Sequence, residues 1–245
     1  MYHPYMWAYR APQPSGQSIV LDTAIGDVNG DRVPDRVFLV GTKPYGASSP
    51  LVADITIVVE DGRTKQHYRI PLKENQGYGP TLFLGDFTGD HVDDIMVNMS
   101  SGGSGGITYN YVYSFLGNQP RKLFDFEQFN RTHTGTVTYE DYYRVRVVTE
   151  NPKNVYTLDI NYKGADYLNE IYRPDGKLKA PLSGDINGLG GLYPVDFDYD
   201  GVYELMAFQR IIGRYNADGL GLVMNVQKWQ GDRFTPFNQW IAING

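Results

Sequence analysis

The sequence predicts an all-β fold built from four copies of a four-stranded unit. Three observations carry this. An acidic frame recurs at Asp27, Asp86 and Asp196, the second spacing being close to twice the first. Each copy sits between short apolar runs bounded by Gly, Asp, Asn and Pro, which is how strands and their turns read. Helical 3.6-residue periodicity is weak throughout. Units of about 50 to 60 residues repeated in this way fit radial repetition about an axis, a β-propeller, which limits exposed sheet edges. A β-sandwich with acidic turns is the alternative, but regular spacing and a fixed loop position are not expected of it.

The predicted blades span about 18–75, 79–128, 133–182 and 190–243. They form one domain over 18–245 behind a Tyr/Pro-rich arm over 1–17. In each typical unit a first strand enters the acidic frame: Ile19–Ile25, Thr81–Leu84 and Leu192–Val195. A second leaves it: Arg36–Val40, Asp94–Asn98 and Glu204–Gln209. After a glycine-rich turn comes a longer third, Ile55–Val59, Thr108–Phe115 or Gly221–Trp229. The fourth is Gln66–Ile70, Arg121–Phe126 or Arg233–Trp240. Unit three reads as four strands, Thr136–Tyr139, Tyr143–Val148, Val155–Ile160 and Leu168–Tyr172, with only Glu140 and Asp141 where the frame should be. The Tyr109, Tyr111, Tyr113 alternation puts three rings on one strand face, which fits packing between blades.

Composition narrows the function classes. The 245 residues carry a net charge of −6 and no Lys/Arg cluster, which argues against nucleic acid as a partner. There is no cysteine, so disulfides and zinc-thiolate sites are excluded. No run has the length of a transmembrane helix. The first residues lack the charged and apolar regions of a secretory signal, so export would need a leader beyond them or another route. Twenty Tyr and 28 Gly suit strands and turns.

The acidic frames carry the chemistry. Asp196, Asp198, Asp200 and Glu204 stand at positions 1, 3, 5 and 9 of the third loop, with Gly201 at position 6 and the Val202 carbonyl at position 7. Loop one offers Asp27, Asn29, Asp31, Asp35 and the Val33 carbonyl; loop two offers Asp86, Thr88, Asp90, Asp94 and the Val92 carbonyl. Oxygen ligands at this spacing suit Ca2+, which accepts six to eight at flexible geometry; Mg2+ asks for a stricter octahedron. Carboxylates packed so closely repel one another without a cation. Plain Asx turns are the competing reading. Arg32 and His91 replace the position-6 glycine in loops one and two, and Thr88 brings only a hydroxyl, so loop three is expected to bind best. An EF-hand is rejected, because the twelfth position holds Phe38, Val97 or Ala207 where a bidentate Glu is required. The cation is expected to clip strand one of a blade to strand two.

The stretches Gly26–Asp35, Gly85–Asp94 and Asp196–Glu204 resemble the FG-GAP/VCBS repeat of the integrin alpha-subunit propeller and of many bacterial surface proteins. The resemblance implies a propeller with a cation loop per typical blade; the missing third loop, the position-6 substitutions and a blade count below seven depart from it. The Tyr/Pro-rich start and overall pattern also look like uncharacterised repeat proteins of spore-forming Gram-positive bacteria.

A ligand face is expected opposite the acidic loops, on the glycine-rich turns 43–50, 100–106 and 213–221 and the turns 75–79 and 130–135. Tyr45, Tyr78, His133, Arg214 and Tyr215 are its candidate residues. The four histidines are scattered, so neither a histidine metal site nor a catalytic triad is indicated. The reading is a calcium-stabilised, non-catalytic surface module at a cell or spore surface or outside the cell, with a protein or glycan ligand. A lectin is the alternative; a polysaccharide-active enzyme would need a carboxylate pair in a cleft.

Overall fold

The computed structural model describes residues 18–243, so the expected arm over 1–17 lies outside the described residues. The described chain is all-β, with two short α-helices. Unit one holds β1 (Ile19–Gly26), β2 (Asp35–Thr42), β3 (Leu51–Glu60) and β4 (His67–Pro71). Unit two holds β5 (Gly77–Gly85), β6 (Asp94–Ser100), β7 (Thr108–Ser114) and β8 (Arg121–Asp125), followed by α1 (Phe126–Thr132). Unit three holds β9 (Gly135–Glu140), β10 (Arg144–Glu150), β11 (Lys153–Asp159) and α2 (Ala165–Ile171). Unit four holds β12 (Ser183–Val195), β13 (Glu204–Ile212), β14 (Gly219–Gln230) and β15 (Arg233–Ala242). Each unit is an antiparallel meander, since short turns keep successive strands side by side.

The expected fourth strand of unit three, Leu168–Tyr172, is instead helical, within α2 and its cap. Its apolar residues fall at i, i+3 and i+4, so one helical face buries Leu168 and Ile171. The other helix, α1, occupies the expected turn before unit three. Asp125 caps it by accepting from the Glu127 N–H, and Phe126 and Phe129 bury its inner face.

The units join in pairs. Leu51 and Val52 of β3 pair with Tyr78 and Gly77 of β5, which merges units one and two into an eight-stranded sheet. Ser183 and Gly184 of β12 pair with β9 before β12 continues beside β13, which gives a seven-stranded sheet. The main core spans units one, two and four, from Val37, Ile57 and Met96 to Leu192 and Leu205. Tyr111 and Tyr113 are buried in it, as their alternation predicts. A second core packs unit three against Ile211, Leu220 and Val223 of unit four.

These contacts fix an order that chain sequence does not. Unit two meets unit four directly: the Asn98 amide donates to the Leu192 carbonyl at 3.0 Å, and Phe124 stands edge-on to Phe234. Unit three packs on unit four. There Asp218, 3 % exposed, accepts from the Tyr167 hydroxyl at 2.8 Å and faces the Lys163 ammonium at 2.9 Å. The contacts thus link unit one to two, two to four and four to three, whereas a ring in chain order would place three between two and four.

The acidic loops follow the same order. The Asp93 N–H donates to the Asp27 carbonyl, and the Tyr203 N–H to the Asp86 carbonyl, at 2.9 and 2.7 Å. Position 8 of one loop therefore docks on position 1 of the loop before it. The glycine preceding each receiving loop makes room. A Cβ on Gly26 would lie 2.2 Å from the Asp93 carboxylate, and one on Gly85 would lie 2.9 Å from the Tyr203 ring. Loop three has Val195 in the glycine's place, and loop one has Pro34 at position 8, which carries no N–H.

Candidate functional site

The three loops share one internal design. The position-9 acids Asp35, Asp94 and Glu204 are nearly fully buried. Each accepts the N–H of position 2, from Val28, Phe87 and Phe197, at 3.1, 3.1 and 3.2 Å. The position-5 acids Asp31, Asp90 and Asp200 accept from the position-7 N–H groups of Val33, Val92 and Val202. Asp27 accepts from Gly30 and Arg32, Asp86 from Gly89 and His91, and Asp196 from Asp200 and Gly201. Positions 4 and 6 both take positive φ. Gly30, Gly89 and Tyr199 have 82°, 78° and 59°, and Arg32, His91 and Gly201 have 65°, 64° and 86°. Glycine fills one of the two demanding positions in every loop, but not the same one.

The loops differ in how their charge is met. In loop three Asp196, Asp198 and Asp200 converge, each with an oxygen within 4.8 Å of the others. The Lys228 ammonium reaches in from β14, 2.9 Å from Glu204 and 3.1 Å from Asp198. The Glu204 contact is the first cause of its raised pKa. In loop one the Arg63 guanidinium donates to the Asp31 carboxylate and carbonyl, both at 2.7 Å. Asn29 turns its oxygen to the Asp31 N–H and its amide nitrogen to Asp61 and Asn118. Loop two has no such cation among the described ion pairs. Burial pushes its Asp94 carboxyl up to about 7, with the Asp90 and Asp86 charges adding to the push. The Thr88 hydroxyl oxygen there is buried and unpartnered.

The expected face residues fall into separate surroundings. Tyr45 and Tyr215 stand exposed. Arg214 is committed to unit three: it pairs with Glu170, approaches Asp218 at 3.6 Å and lies 4.5 Å over the Tyr167 ring. His133 is buried because α1 carries it inward, stacked on Phe129 with ring centroids 4.0 Å apart. Both already have side-chain partners inside the fold, unlike the exposed Tyr45 and Tyr215. Tyr78 does line a cleft, with Asn98, Asn110 and Tyr193, between units two and four.

Lys228 and Arg63 were not legible as loop partners, because each comes from a strand or turn about thirty residues along the chain. In the sequence Tyr193 and Asn98 are simply strand residues. Their alternation marks a sheet face and not a cleft.

Fold and site together define an all-β repeat protein whose acidic loops join successive loop-bearing units in a row. Residues 133–242 match the family model described as the YybI C-terminal domain. A Bacillus subtilis (strain 168) protein described as "Uncharacterized protein YybI" is 50% identical over 243 residues, covering 99% of this chain and 90% of the relative. The chain belongs to the YybI family. No solved structure matches it. The expected membership of the FG-GAP/VCBS family is thereby corrected. The resemblance rested on a nine-residue frame, and Asp, Asn and Gly at such spacing serve local turn chemistry in unrelated folds. No helix among the described residues is long and apolar enough to cross a membrane.

Proposed function

We propose that the chain is a calcium-stabilised, non-catalytic binding module of a cell or spore surface, its three four-stranded units being propeller-type blades. The convergence of Asp196, Asp198 and Asp200 carries the calcium part. These residues, with Glu204 and the Val202 carbonyl, would hold the ion. Each carboxylate keeps lone pairs beyond its backbone hydrogen bonds. A bound calcium supplies neutralising charge. The donor set fits a hard cation, and the buried, unpartnered Thr88 oxygen fits a second, weaker site in loop two. The antiparallel meanders support the blade reading.

Lys228 supplies the discriminating test, because its ammonium competes for the same oxygens. Chelator should lower the melting temperature, and calcium at about 100 times its Kd should raise it by about 5–10 °C. Lys228→Met should melt lower without calcium, by about 1–3 kcal/mol in stability, since Glu204 loses its partner. The same variant should then gain more from calcium than the unaltered chain, and Asp200→Asn should gain less. Identical melting curves with and without chelator, together with no metal by elemental analysis, refute the calcium reading.

A further inference from the structure

The cleft between units two and four has a volume of about 440 Å³, within the range of small-molecule sites. Its lining is uncharged throughout: Tyr, Asn, Thr, Ser, Met, Leu and Gly. A phosphate, nucleotide or acidic peptide would find no opposing charge there. What it offers is two aromatic rings and a cluster of amides and hydroxyls. We propose that it binds a short neutral saccharide, with Tyr193 and Tyr78 on the apolar faces of sugar rings and Asn98 on a hydroxyl. The proposal rests on the reading of the chain as a non-catalytic binding module.

Both rings are seated in advance. A Cβ at position 102 would lie 2.2 Å from the Tyr78 ring, and one at 191 would lie 2.9 Å from the Tyr193 ring, so each ring lies against bare glycine. Tyr193 is 51 % exposed yet held from one side by Phe208, with centroids 5.2 Å apart. An exposed ring already fixed in place loses little freedom when a ligand stacks on it. Asn98 is braced in the same way. The Thr108 hydroxyl donates to the Asn110 oxygen at 2.7 Å, and the Asn110 amide donates to the Asn98 oxygen at 2.7 Å. One Asn98 N–H goes to the Leu192 carbonyl at 3.0 Å. An amide nitrogen carries two hydrogens, so one stays available. Ring stacking beside an oriented amide, without charge, is the complement of a sugar that is apolar on its face and hydroxylated at its edge.

The experiment uses the full chain and three neutral disaccharides: cellobiose, maltose and N,N′-diacetylchitobiose. Saturation-transfer NMR should show transfer to the ring protons of at least one, and calorimetry should give its Kd. Tyr193→Ala and Asn98→Ala should each weaken that Kd tenfold or more. Tyr193→Ala should leave the melting temperature nearly unchanged, because the ring is half exposed. Phe237→Ala, an exposed aromatic on β15, should leave the Kd unchanged. No transfer to any of the three sugars, or a Kd indifferent to Tyr193→Ala, overturns the saccharide site. That failure with the calcium response intact leaves the module reading standing. Cleavage of a disaccharide in the NMR tube overturns the non-catalytic reading and keeps the ligand class.

Discussion

His133 shows what burial does to a single side chain. Its ring lies parallel to Phe129, with Nδ1 3.2 Å from the Phe129 carbonyl and Nε2 3.2 Å from the Gln227 amide nitrogen. One ring nitrogen donates and the other accepts, the pattern of a neutral imidazole. Burial pushes its pKa down to about 4 from the ordinary 6.5. Between those values the unfolded chain binds a proton that the folded chain refuses. Stability from this group is therefore complete above about 6.5 and falls as pH drops toward 4, by about 3 kcal/mol. His133→Phe, which keeps the stack, should flatten the melting-temperature profile between pH 6.5 and 4 relative to the unaltered chain. Equal slopes in the two proteins would rule this out. Asp27, Asp86 and Asp196 were legible as loop residues because turn chemistry is local. The burial of His133 was not, although Phe126, Phe129 and His133 fall at helical i, i+3 and i+7 behind the Asp125 cap.

At the scale of elements, the loop-to-loop docking depends on bare glycine. A Cβ on Gly85 would meet the Phe83 and Tyr203 rings at 2.7 and 2.9 Å. Gly85→Val should cost about 1–3 kcal/mol by overpacking and lower the melting temperature by about 3–10 °C. Gly201→Ala meets open space and strains only the backbone at φ 86°, so it should cost about 1–2 kcal/mol. A Gly85→Val melting curve that superimposes on the parent curve would show that the docking contributes nothing. Strand positions were legible here because every meander has its own apolar runs and turn residues. Helix α2 is not legible in the sequence because Leu168, Ile171 and Tyr172 fit either a short strand or one helical turn, and seven residues are too few for periodicity to decide.

At the scale of the molecule, the two cores meet in unit four. Leu205 and Ala207 of β13 face the main core, and Ile211 of the same strand faces the second. The stretch matched by the YybI C-terminal domain, 133–242, thus contains one whole core and a fragment of the other. Produced alone, residues 133–243 should bind a hydrophobic dye and melt without cooperativity, because Leu189, Leu192 and Leu205 lose the cover of units one and two. A cooperative, monomeric melting transition of that fragment would contradict the shared core. The order one, two, four could not be read from the chain, since it rests on contacts between residues far apart in sequence, such as Asn98 and Leu192.

Val195 and Pro34 give the row of loops a further property. A stack of like units whose last member fitted its first would be an invitation to filaments, one copy continuing where another stopped. Here the trailing end offers a branched side chain where room is needed, and the leading end offers a ring nitrogen where a donor is needed. Copies crowded together have no register in which to propagate through this repeat. The row is finite by composition, and any larger assembly must be joined through some other surface.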